Sequence, residues 1–109
     1  MTIREWQTVV HQQSRDSGFY DVPFANIDQK LLLAVGELIE AHEELRKGNQ
    51  PTYVYYRADG KPEGFGTELA DTIIRIFDLA EYLGIDLEER IREKHEFNGT
   101  RSYKHGRTF

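Results

Sequence analysis

Asp28 to Lys47 reads DQKLLLAVGELIEAHEELRK, and its centre, Glu37-Leu38-Ile39-Glu40, decides how the rest of the chain is understood. Acids spaced by three share one helical face, one turn apart. Asp28 can cap this helix and Gly48 stands in the stop position. Leu31, Val35, Leu38, His42 and Leu45 form its expected core seam, with Glu37, Glu40 and Glu44 in a stripe beside it. Glu68-Leu69-Ala70-Asp71 answers the first pair, inside a helix expected from a Thr67 cap to about Leu83, with Gly84 as stop. Its seam is Leu69, Ile73, Ile76, Ala80 and Leu83, and Glu68, Asp71, Arg75, Asp78 and Tyr82 line the neighbouring stripe. Two such helices side by side gather four carboxylates, which repel one another unless something cationic arrives. Oxygen ligands of this kind suit a hard dication such as Mg²⁺.

Working outward, Thr2-Ile3-Arg4-Glu5 is a capping box that opens a first helix through Ile3, Trp6, Val9 and Val10, stopped at Ser17-Gly18. Phe19 to Ile27 is an aromatic connector with Pro23, and Phe19, Tyr20 and Phe24 are expected to pack on the bundle. Asn49 to Gly66 is a long connection carrying the β-prone run Tyr53-Val54-Tyr55-Tyr56 and an Asp59-Gly60 turn. Asp86-Leu87-Glu88-Glu89 opens a last helix to about Asn98, with Gly99 as stop and Leu87, Ile91 and Phe97 as apolar contacts. The pattern is all-α: one domain over residues 1–109, a compact bundle of four main helices with a long loop between the second and third. The bundle is expected to enlarge by oligomerisation.

Composition bounds the rest. A chain of 109 residues with 39% hydrophobic content can bury roughly two-thirds of its unfolded surface. Without Cys there is neither a disulfide framework nor a thiolate metal site, which suits a reducing cytoplasm. No apolar stretch resembles a signal peptide or spans a membrane. A net charge of −5 gives no broad footprint for nucleic acid. The segment from Arg101 to Phe109 is nevertheless basic, with Lys104, His105 and Arg107.

Closely spaced Glu residues on a helix are most often solvated surface. Here Glu37, Glu40 and Glu44 have Ala41, Glu44 and Gly48 four residues on, so none gains a helical salt bridge there, whereas Glu43 has Lys47. Acids flanking a seam are costly unless compensated, which tips the reading toward a metal site. Asp71 is less clean, since Arg75 could be its partner. Di-iron bundles need Glu-x-x-His, but Thr8, Ile39, Arg92 and Ser102 precede the four His residues by three. Zinc spacings of the His-Glu-x-x-His kind are absent as well. Mg²⁺ or Mn²⁺ remains, sharing its shell with substrate phosphates. Lys94, Asn98 and Arg101 would share a face if the last helix continued, and with Tyr103 they could meet a polyphosphate. His42 is expected to be a buried, hydrogen-bonded histidine and Trp6 a core residue.

Leu33-Ala34-Val35-Gly36-Glu37-Leu38-Ile39-Glu40, Glu68-Leu69-Ala70-Asp71 and Lys94-x-x-x-Asn98-x-x-Arg101 together resemble the MazG-like nucleoside triphosphate pyrophosphohydrolases. These all-α enzymes share a superfamily with dimeric dUTPases and dCTP pyrophosphatases. The resemblance runs from about Asp28 to Tyr103. It implies Mg²⁺ held by Glu37, Glu40, Glu68 and Asp71, substrate contacts at Lys94, Asn98, Arg101 and Tyr103, and hydrolysis of an NTP or dNTP to monophosphate and pyrophosphate. It also implies a homodimer or homotetramer. The chain departs from the pattern of many relatives, Glu-Glu-x-x-Glu, in having Leu33-Ala34 where the first acids would stand if Glu37 were the last. Whether Glu44 or Asp78 joins the metal site stays open. The rival reading is a non-catalytic helical module for oligomerisation or nucleotide binding.

Overall fold

A computed structural model describes residues 1–21, 26–101 and 103–106. Its elements are α1 (Ile3–Asp16), α2 (Ile27–Arg46), β1 (Tyr55–Tyr56), β2 (Pro62–Glu63), α3 (Phe65–Tyr82) and α4 (Leu87–Gly99), then a 3₁₀ turn, Tyr103–Gly106. The all-α expectation holds. α3 is central, with α2 along one side and α1 along another, while α4 meets α1. The roles expected for Pro23 and Phe24 lie outside the described residues.

Local chemistry explains where the helices begin. The Thr2 hydroxyl accepts from the Glu5 N–H at 3.0 Å and the Thr2 N–H donates back to the Glu5 carboxylate at 3.1 Å, completing the capping box. α2 is capped by Asn26 rather than Asp28: the Asn26 side chain accepts from the Gln29 N–H, and Asp28 falls in the first turn, where it complements the helix dipole. Asp86 caps α4 as expected. α4 runs one residue further than expected, to Gly99. α3 starts earlier than Thr67, straight out of the hairpin at Gly64, which has φ of +137°. A Cβ there would collide with the Tyr53 carbonyl, so only glycine lets the strand turn into the helix at this point.

The long connection is more ordered than a loop. β1 and β2 pair antiparallel, Tyr55 opposite Glu63. The turn closes through the Gly60 N–H to Arg57, and the Asp59 carboxylate accepts from the Lys61 N–H. Glu44 on α2 straps this hairpin down, accepting from the Tyr55 hydroxyl at 2.7 Å and the Asn49 amide at 2.8 Å.

The expected core faces come out inverted. On α2 the buried residues are Ala34, Ala41 and Glu44, while Leu31, Val35, Leu38 and Leu45 of the expected seam are exposed, and His42 with them. On α3, Glu68, Thr72, Leu79 and Ala80 are buried; Ala80 belongs to the expected seam, but Leu69, Ile73, Ile76 and Leu83 are exposed. Small and polar residues are thus the buried ones on these two helices, and the wide aliphatic stripes face outward. Trp6, Val9, Ile91 and Phe97 are exposed too. The surface is 8272 Å². A compact 12.8 kDa chain exposes about 6,300 Å², and the chain buries only ~55% of its unfolded surface rather than two-thirds. Its radius of gyration, 16.7 Å, likewise exceeds the ~13 Å of a compact domain of this length.

Candidate metal centre

Glu37 and Glu40 project from successive turns of α2, and Glu68 comes from the first turns of α3. One oxygen of each lies within 4.8 Å of the others. Glu68 is only 5% exposed, and its Oε2 is buried without a hydrogen-bond partner. Burial, reinforced by hydrogen bonding to Glu37 and Glu40, raises the Glu68 pKa to about 8, so the carboxyl keeps its proton at neutral pH. Burial would raise Glu37 too, but Arg75 and the Glu68 carboxyl hold it below the usual carboxylate range. Arg75 Nε donates to Glu37 at 2.8 Å. Arg75 is thus joined to Glu37 rather than paired simply with Asp71.

Asp71 stands one turn after Glu68, outside the tight group of three. Its pKa is raised by burial and by the charge of Glu37, against the pull of Lys61 and Arg75. It faces a cleft of about 610 Å³ together with Glu37 and Glu40. Lys30, Lys61 and Arg75 also line this cleft, as do Val10, Gln13 and Ser14 of α1, Leu33 of α2 and Ile74 of α3. The volume is in the range that holds a small-molecule ligand. A hard dication fits the donor set: every donor is a carboxylate oxygen, and one buried oxygen has no other partner.

The expected substrate contacts lie elsewhere in the chain. Lys94 and Arg101 stand over the Phe97 ring, at 5.6 and 5.8 Å from its centroid. Asn98 is half-buried and Tyr103 is 88% exposed. None of the four lines the cleft.

Glu44 and Asp78 have structural employment. Glu44 holds the hairpin and has Lys47 at 3.5 Å, a three-residue pair that the four-residue spacing test passed over. Glu43 pairs with Arg46 instead of Lys47. Asp78 bonds His11 Nδ1 at 2.7 Å, while Arg15 Nε donates to His11 Nε2 at 3.1 Å, which makes Nδ1 the protonated nitrogen. Tyr20 closes over His11 edge-on at 4.8 Å and stacks near Tyr82, as expected of the connector, while Phe19 stays exposed. Burial and the Asp78 charge raise the Tyr20 pKa strongly. Sequence reading missed His11, Lys30 and Lys61 as neighbours of the acids. His11 and Asp78 are 67 residues apart, and no local spacing announces their contact. Arg75 alone carried a signal, as a cation within the acidic stripe.

Comparison with protein-family models, curated proteins and solved structures gives no match to this chain. Among the described residues, no helix is long and apolar enough to cross a membrane.

Proposed function

We propose that this protein is a Mg²⁺-dependent nucleoside triphosphate pyrophosphohydrolase, cleaving an NTP or dNTP at the α-phosphate and acting in control or sanitation of a nucleotide pool in the cytoplasm. The observation that carries this is the convergence of Glu37, Glu40 and Glu68 within 4.8 Å, with a buried, unpartnered oxygen on Glu68. The motif resemblance to MazG-like enzymes, read from the residues alone, supports it.

Glu37, Glu40 and Glu68 would hold the ion, with Asp71 at the edge of the cleft. Bound there, Mg²⁺, or Mn²⁺ in its place, supplies the Lewis-acid charge that makes a phosphoric anhydride attackable. Asp71, its carboxyl made more basic by burial and by the Glu37 charge, is suited to take the proton from an attacking water. The water oxygen forms the new bond to the α-phosphorus, the bond to the bridging oxygen breaks, and pyrophosphate leaves. The apolar and amide wall from α1 suits a nucleoside. Lys94, Asn98, Arg101 and Tyr103 would reach a substrate only across to a second copy, in a homodimer or homotetramer. The exposed aliphatic stripes of α2 and α3 favour such an assembly.

Those same stripes also suit the second reading, a non-catalytic module for oligomerisation or nucleotide binding. A screen of standard and modified triphosphates with Mg²⁺, with products identified, separates the two. The enzyme reading expects monophosphate plus pyrophosphate, with loss of at least about a hundredfold in rate in Glu68→Gln and Asp71→Asn variants that keep their helical content. Diphosphate plus orthophosphate, or no turnover at all, rejects it.

A further inference from the structure

The cleft beside the acids is lined by three cations, and each is held by a different element. Arg75 comes from α3, Lys61 from the hairpin and Lys30 from the start of α2. Arg75 Nε is 2.8 Å from Glu37, a residue of the acidic group. Lys61 Nζ is 3.6 Å from Glu63, and its charge also acts on Asp71. The backbone under Lys61 is fixed: the Asp59 carboxylate accepts its N–H, and its carbonyl accepts from the Arg57 N–H. Glu44 in turn ties the hairpin to α2 through Tyr55. A chain of contacts thus runs from a buried glutamate to a lysine at the cleft.

The geometry points to Arg75 and Lys61 as the seat of the substrate's phosphate chain: Arg75, paired with Glu37, would turn to the anion if a dication took that carboxylate. A planar guanidinium can exchange a carboxylate for a phosphate with its hydrogen-bond geometry intact. Glu37, Glu40 and Glu68 would hold the dication, which would give Glu37 the charge compensation that Arg75 provides. The long connection between α2 and α3 then has a task, which is to hold Lys61 at the cleft beside Asp71. The identity of the anion as a nucleoside triphosphate rests on the pyrophosphohydrolase reading; the seat for a polyphosphate does not.

Calorimetric titration of the full chain tests this, first with MgCl₂ alone and then with inorganic tripolyphosphate in saturating MgCl₂. Arg75→Gln and Lys61→Gln should each weaken tripolyphosphate binding about tenfold or more, as expected for loss of one charge-assisted contact. Arg75→Gln should bind Mg²⁺ alone at least as tightly as the unaltered chain, because a competitor for Glu37 is gone. Arg75→Lys should fall between, and Arg92→Gln on α4, whose partners are Glu88 and Glu89, should match the unaltered chain. If Arg75→Gln does not fold, Arg75→Lys and Lys61→Gln decide. The proposal is overturned if both Gln variants bind tripolyphosphate normally, if Arg92→Gln weakens it equally, or if Arg75→Gln loses Mg²⁺ and tripolyphosphate in step, which would mark Arg75 as a strut of the acidic group. Tripolyphosphate binding that depends on Arg75 and Lys61, with no pyrophosphate released from any triphosphate, upholds the seat and removes the hydrolase. Turnover whose KM is indifferent to both changes does the reverse.

Discussion

Glu68 combines burial, two carboxyl neighbours and an oxygen with no partner. Its folded-state pKa is raised from 4.5 to about 8, so the unfolded chain releases this proton first. The stability linked to this group is therefore fully present below 4.5 and is lost as pH climbs to about 8. Glu37, whose pKa is lowered, acts in the opposite sense and gives up its contribution as acid protonates it. In metal-free buffer the melting temperature should fall across that rise in pH, and Glu68→Gln should flatten the fall. A melting temperature indifferent to pH in the unaltered chain would contradict the buried acid. The three-residue spacing in the sequence announced that Glu37 and Glu40 share a face, and likewise Glu68 and Asp71. It could not say that Glu68 would be the buried member of the group, because that depends on how the two helices pack.

Elements were legible where the chain marks its own ends. Thr2 with Glu5, Asp86 with Glu89, and the glycines at 48 and 84 all stand where helices start or stop. Facing was not legible, since an amphipathic helix with both an aliphatic and an acidic stripe can turn either toward its neighbour. Here the buried positions of α2 are Ala34, Ala41 and Glu44. The α1–α4 junction was invisible for another reason, because it is made by residues some 80 positions apart, among them one amide. Gln7, fully buried, donates to the Ile85 carbonyl at 2.7 Å and accepts from the Leu87 N–H at 2.9 Å. It thereby satisfies two backbone groups around the cap of α4. Gln7→Leu should cost about 2–4 kcal/mol, as expected when two buried hydrogen bonds vanish together, and thermal denaturation with circular dichroism would measure it. An unchanged melting curve would show that α4 is held by something else.

At the scale of the whole molecule, about 2,000 Å² of surface stands beyond what a compact chain of this mass exposes, and aliphatic side chains of α2 and α3 contribute heavily to it. Covering that excess on two copies would bury an area typical of obligate partners. Light scattering after size exclusion should report a dimer or tetramer, and Leu38→Glu with Ile73→Glu should shift the population to single chains. A monomer for the unaltered protein at micromolar concentration would refute this. The count of helices was open to sequence reading, but which seams stay uncovered within one chain, as Leu31, Val35 and Leu38 do, was not.

So thin an interior has a consequence for handling. If most of the greasy contacts belong to the association rather than to the chain, dilution acts as a mild denaturant. The unfolding midpoint should then drift downward with the logarithm of the amount of protein in the tube.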